Sequence, residues 1–139
     1  MLGDSVQKKI LIVEDNELNL KLLRDIIEYH GYLIFTTGLG EVAAELARQY
    51  RPDLILMDIQ LPDITGVEAM RRVKADEQAR AIPMVAVTAF AMSGDRANIL
   101  ASGFDDYVSK PFQISELLKL VERYTDQVPR PRGQDDTAN

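Results

Sequence analysis

The chain has 139 residues, 46% of them hydrophobic and 27% charged, which is the size and balance of one globular domain with a real core. Its net charge of −6 argues against a nucleic-acid-binding face, since such faces are basic, so no direct DNA binding is expected. The lack of cysteine excludes disulfides, thiolate metal sites and thiol catalysis, and one histidine cannot build a multi-histidine metal site.

Residues 1–7 read as a loose leader, with no apolar stretch long enough for a signal peptide. Lys9 to Val13, KILIV, is rich in β-branched residues and reads as a first strand. It ends at the acidic pair Glu14 and Asp15, and Asn16 is a good helix N-cap. Leu20, Leu23 and Ile27 carry a helical spacing, and Gly31 stops that helix. A second strand is expected over Tyr32 to Thr37, then a tight loop at Gly38 to Gly40. Val42, Ala43, Leu46, Ala47 and Tyr50 mark a second helix that Pro52 breaks.

Leu54 to Met57 are apolar without a gap, as in a strand buried on both faces of a parallel sheet. That run stops at Asp58 and passes into Pro62, Asp63 and Gly66, which are loop and turn residues. Val67, Met70 and Val73 give a third helix. Ile82 to Val87 is a fourth strand, ending at Thr88. Met92 to Ala101 is a fourth helix of low apolar content, expected to be the most mobile. Asp106 to Ser109 is a short fifth strand leading to Lys110 and Pro111. Ile114, Leu117, Leu118 and Val121 mark the last helix. Residues 127–139 have too little apolar content to pack and read as a disordered tail. No apolar run is long enough to span a bilayer, so no membrane association is expected and the expected location is the cytoplasm.

Five strands alternating with five helices imply an α/β fold, a doubly wound parallel sheet with right-handed crossovers. Periodicity does not give the strand order. The length favours the flavodoxin-like (βα)5 order, 2-1-3-4-5, among the common doubly wound ones.

Four strand ends carry polar residues: Glu14 and Asp15, then Asp58, Thr88 and Lys110. In a parallel sheet those ends lie on one edge, where ligands bind. Taken singly, each residue is a plausible cap or solvated loop residue. Together they place three carboxylates, a hydroxyl and an ammonium at one spot. The carboxylates repel unless a cation joins them, and hard oxygen ligands without histidine or cysteine suit Mg2+. A lysine suits a phosphate oxygen, and a carboxylate can form an aspartyl phosphate. The set reads as phosphoryl transfer onto an aspartate.

VEDN at Val13 to Asn16, LILMDIQLPDITG at Leu54 to Gly66, VAVTAFA at Val85 to Ala91 and SKPF at Ser109 to Phe112 resemble a response-regulator receiver domain of two-component signalling. The resemblance spans residues 8–126. The wording VEDNELN, MDIQLP and AVTAFAMSGD is most similar to that of a single-domain cell-cycle regulator within that family. It implies Asp58 as phosphoacceptor, with Asp15, Asp58 and the backbone carbonyl of Gln60 as direct Mg2+ ligands. Glu14 would act through a metal-bound water. Thr88 and Lys110 would bind phosphate oxygens. The Lys110–Pro111 peptide would be cis, aiming the lysine into the site, and Ala89 would leave the phosphate accessible. Tyr107 would turn inward when Thr88 moves toward the phosphate. The implied partners are a histidine kinase or histidine phosphotransfer protein, and a downstream protein read by the fourth helix, fifth strand and fifth helix. The implied protein is a stand-alone signalling switch, not an enzyme: it would catalyse only its own phosphorylation and slow dephosphorylation.

Other readings compete. Gly38-Leu39-Gly40-Glu41-Val42-Ala43 matches the GxGxxA dinucleotide fingerprint, with Asp58 at about the expected distance. It leaves Glu14, Asp15, Thr88 and Lys110 unexplained, and a flexible turn before a helix is the simpler reading. A phosphatase with an aspartate nucleophile would need a general acid near it, and Gln60 is not one. A flavin carrier would need a Ser-, Thr- or Gly-rich first loop, where this chain has EDNE. His30 is expected to be a cation at the negative end of a helix, not a phosphodonor. Arg71, Arg72 and Lys74 are expected on a solvated helix face. Phe90, Ala91 and Met92 read equally as packing or as a surface that partners recognise.

Overall fold

The computed structural model describes residues 7–89 and 93–125. Five strands alternate with five α-helices: β1 (Lys9–Val13), α1 (Glu17–Tyr29), β2 (Leu33–Thr37), α2 (Ala43–Tyr50), β3 (Leu54–Asp58), α3 (Gly66–Lys74), β4 (Met84–Thr88), α4 (Ser93–Ser102), β5 (Asp106–Ser109) and α5 (Ile114–Thr125). The strands form one parallel sheet in the order β2-β1-β3-β4-β5, the order that the length favoured. The expected leader, apart from Gln7, and the expected tail lie outside the described residues, as do Phe90, Ala91 and Met92.

Every residue of β3 and β4 is buried, which explains why Leu54 to Met57 are apolar without a gap. Alternation along the strands divides the core in two. Leu11, Val13, Ile55, Met57, Met84 and Ala86 pack with Ala43, Ala47, Met70 and Val73 of α2 and α3. Ile10, Ile12, Leu54, Leu56, Val85 and Val87 pack with Leu23 and Ile27 of α1 and Leu117 and Val121 of α5.

The helix ends follow local chemistry. Asn16 caps α1, its side chain accepting from the Asn19 N–H at 2.9 Å. Thr65 caps α3 in the same way at Glu68, 3.0 Å. Helix α1 ends at Tyr29, and Gly31 takes the left-handed backbone (φ 99°) that closes such an exit.

Several boundaries differ from expectation. Tyr32 is not in β2; it is fully buried in the helix exit, and pairing starts when the Leu33 N–H donates to the Lys8 carbonyl. Ile82 and Pro83 precede β4, because Ile82 still closes a turn onto Ala79, although the Pro83 carbonyl already accepts from Ile55. A short 3-10 turn, Gly40–Val42, leads into α2. In α5 the buried residues are Leu117, Leu120, Val121 and Thr125, while Ile114 is exposed, so the packed face begins one turn later than expected. Arg71 and Arg72 are solvated as expected, but Lys74 is half-buried and pairs with Asp105 at 3.2 Å.

Candidate functional site

The residues expected at the strand ends meet at the carboxyl edge of the sheet. Asp58 closes β3 and is 6% exposed. One of its oxygens accepts the Gln60 backbone N–H at 3.0 Å, and the other accepts from Lys110 Nζ at 3.1 Å. Glu14 follows β1 and is 1% exposed. Its Oε2 accepts the Asn16 N–H at 3.1 Å. Its Oε1 lies 3.0 Å from Lys110 Nζ, close enough for an ion pair, yet has no partner in hydrogen-bonding geometry. Asp15 is exposed beside it, and Glu14, Asp15 and Asp58 each offer an oxygen within 4.8 Å of the others.

Lys110 reaches both buried carboxylates from the end of β5. Its own N–H donates to the Thr88 carbonyl at 2.8 Å, continuing the β4–β5 ladder by one step. The Lys110–Pro111 peptide is cis, as the resemblance implied. Thr88 is buried and Ala89 beside it is exposed. Tyr107 pairs across from Ala86 in the register that sets Thr88 against Ser109, so its side chain shares a sheet face with Thr88. The Arg96 guanidinium lies 4.9 Å from the Tyr107 ring centre, a cation–π contact between α4 and β5.

Burial, and then the Asp58 carboxyl beside it, push the Glu14 carboxyl above its usual 4.5, although the Asn16 amide and the Lys110 ammonium pull the other way. An acid raised by folding holds its proton in the native state after the unfolded chain has lost it. Stability from this group is therefore full below about pH 4.5 and is lost as pH rises through the higher native value. In chelator, wild type should lose stability relative to Glu14→Gln as pH rises from mildly acidic to neutral. Parallel melting curves for the two proteins across that range would contradict it.

The fingerprint-like loop has another explanation. A Cβ on Gly40 would lie 2.9 Å from Ile64 and 3.0 Å from Leu61, so this glycine admits the β3–α3 loop. The Gly40 and Glu41 N–H groups, which a pyrophosphate would need, already donate to the Asp63 carboxylate. The loop also follows the edge strand β2, whereas the topological switch point lies between β1 and β3. His30 caps the end of α1: its Nδ1–H donates to the Ile26 carbonyl at 2.8 Å, which places the ring at the helix end where it was expected.

Asp63 and Gly66 read from sequence as turn residues. What the sequence did not reveal is that Asp63 bonds to a different loop and that Gly66 sits against the Asp58 backbone, where a Cβ would come within 2.2 Å of the carbonyl oxygen. A turn signal carries no information about what lies across from the turn.

Residues 10–122 match the model of the response regulator receiver domain. The chain belongs to the response regulator receiver family. It is 50% identical over 117 residues to the polar-differentiation response regulator DivK of Brucella anthropi, a match covering 84% of this chain and 95% of that protein. The same identity and coverage hold for DivK of Brucella ovis. Among solved structures it is similar to the receiver domain of the sensor histidine kinase PA1611 of Pseudomonas aeruginosa, at 37% identity and a TM-score of 0.80, covering 88% of this chain and all of that one. That receiver carries a magnesium ion coordinated in its active-site cleft. It is also similar to the chemotaxis response regulator CheY4 of Vibrio cholerae, at 26% identity and a TM-score of 0.79, covering 86% of this chain and 99% of that one. The response regulator family is a family of signalling switches. Among the described residues no helix is long and apolar enough to cross a membrane.

Whether a divalent cation fits here can be judged from the side chains. The ligand atoms are hard oxygens at suitable separations, and the buried Oε1 of Glu14 lacks a hydrogen-bond partner. The acidic cluster could hold a metal ion.

Proposed function

We propose that Asp58 is the phosphoacceptor of a phosphorelay switch, taking its phosphoryl group from a histidine kinase or histidine phosphotransfer protein. The observation that carries this reading is the pairing of a buried Asp58 with Lys110 inside a cluster of three carboxylates at the carboxyl edge of the sheet. An oxygen of Asp58 attacks phosphorus as the bond from phosphorus to the donor breaks. Mg2+, held by Asp15, Asp58 and the Gln60 carbonyl with Glu14 acting through water, would neutralise charge on the transferring group. Lys110 and Thr88 would hold phosphate oxygens, Lys110 turning from its ion pairs toward the new charge. Exposed Ala89 leaves the approach open.

The readout in this reading is a switch across the neighbouring strands, supported by the sheet face that Tyr107 and Thr88 share. Movement of Thr88 toward the phosphate makes room on the sheet face that Tyr107 shares, and the ring turns inward. The surface of α4, β5 and α5 then changes for a downstream protein. A cleft of about 270 Å³ lies there, lined by Arg96, Tyr107, Lys119, Leu120 and Arg123 among others. The phosphate shifts this equilibrium only through contacts that differ between the two states.

The deciding experiment is incubation with acetyl phosphate and Mg2+ followed by intact mass. Wild type should gain one phosphoryl mass and Asp58→Asn none. An equal gain in both would sink the assignment.

A further inference from the structure

The β1–β3 ladder ends at Val13 and Met57. Above it, Glu14 and Asp15 stand on one loop and Gln60 on another, while Asp58 is the last residue of β3 and still pairs with Val87, so the place of the Gln60 carbonyl relative to Asp15 depends on contacts between loops. Lys110 ties Glu14 to Asp58 by charge. A second tie runs through the β2–α2 loop. At one end, the Thr37 carbonyl accepts the Glu14 N–H at 2.9 Å, and Gly38 passes so near Asp15 that an added Cβ would lie 3.4 Å from its Cα. At the other end, the two oxygens of Asp63 accept successive N–H groups, from Gly40 at 2.9 Å and Glu41 at 2.8 Å. Burial is the largest single influence on the Asp63 carboxyl and raises it, but the Glu41 and Gly40 amides, with those of Ile64 and Asp63 itself, together outweigh burial and hold the group below its usual 3.8, so it is an ionised acceptor at neutral pH.

We propose that Asp63 is a positioning residue for the metal site: it clamps the loop bearing Gln60 to the loop that flanks Asp15, and so fixes the Gln60 carbonyl relative to the carboxylate cluster. The inference rests on the Mg2+ reading above. Asp63 touches no metal ligand side chain; it acts through Gly40 and Glu41. A freed Gln60 loop would present its carbonyl over a range of positions, and a small cation with strict geometry is sensitive to that.

The test is Mg2+ titration of the whole chain, with amide hydrogen exchange measured separately in chelator. Asp63→Ala should weaken Mg2+ binding about tenfold, the usual scale for lost outer support. Asp63→Asn keeps one acceptor for two donors and should fall between. Glu41→Gln removes a neighbouring carboxylate without touching the amide bonds, and should bind as wild type does. In chelator, Asp63→Ala should exchange faster at residues 38–41 and 59–61, while β3 stays protected. Circular dichroism shows whether each variant folds, and Asp63→Asn carries the test if Asp63→Ala does not. Wild-type affinity in the Asp63 variants, even with a lowered melting temperature, would overturn the proposal. So would an equal loss in Glu41→Gln, which would make the effect one of charge. If wild type takes up no Mg2+, the metal reading itself fails, an outcome distinct from wild-type binding that Asp63→Ala retains.

Discussion

Replacing Gly66 with alanine should lower the melting temperature by about 10 °C, from a loss of about 3 kcal/mol. Two effects oppose. Alanine is the better helix former, by about 1 kcal/mol, and Gly66 opens α3. Against that, the added Cβ would lie 2.2 Å from the Asp58 carbonyl oxygen and 2.6 Å from the Ile59 Cα, distances that non-bonded atoms do not adopt. Those are backbone atoms of the central strand and its exit, not the ends of flexible side chains. The Gly66 N–H also donates to the Ile59 carbonyl at 2.7 Å, so the helix start cannot slide away without losing that bond. The overlap wins, and relief comes by pushing α3 from β3, which moves Asp58 as well. Gly40→Ala should cost less, because it meets the side chains of Ile64, Leu61 and Ala69. Gly38→Ala should cost least, with its nearest new contact at 3.4 Å. Thermal melts of the three variants check the ranking, and a Gly66→Ala protein as stable as Gly38→Ala would contradict the geometry.

The same residue shows how far sequence reasoning reaches. Asp58 could be placed because an apolar run ended at a carboxylate, a local signal with a direct structural meaning. Glu14, Asp15, Thr88 and Lys110 could be placed because parallel strands send their ends to one edge. The need for glycine at position 66 was not legible in that way. It depends on how closely α3 returns over β3, a distance set by packing of the whole layer. The α5 face was legible at Leu117 and Val121 but not at its start, for a related reason. Ile114 fits the apolar spacing, but it lies at the helix start, and the contacts that bury Leu117, Leu120 and Val121 do not reach it. Asp63, like Pro62 and Gly66, reads as a loop and turn residue. Its bonds run to amides more than 20 residues earlier in the chain, and no local pattern marks them.

The charge balance at the site predicts an opposite pair of stability changes. Glu14 and Asp58 are both buried, and Lys110 is the ammonium between them, at 3.0 and 3.1 Å. Lys110→Met keeps the side chain's length and removes its charge. In chelator at pH 7.5 it should cost about 3 kcal/mol, the scale for stranding a buried charge. Near pH 5 the loss should shrink, because Glu14 already holds its proton more tightly than usual and protonation removes the stranded charge. Mg2+ should recover part of the loss at pH 7.5 by supplying the missing positive charge. Asp58→Asn should move the other way. Carboxylates about 5 Å apart repel by roughly 3 kcal/mol per pair at an effective dielectric near 20, and exposure of Asp15 reduces its share. Asp58 also gains from Lys110 and from the Gln60 N–H, and asparagine can keep only part of that. The net is a gain of about 1 kcal/mol in chelator. In the double variant the two changes should not add, since one ammonium serves both carboxylates. Melts of the four proteins in chelator at pH 5 and pH 7.5 measure all of this. A Lys110→Met loss of equal size at both pH values would mean that the buried carboxylates do not depend on Lys110 for their charge balance.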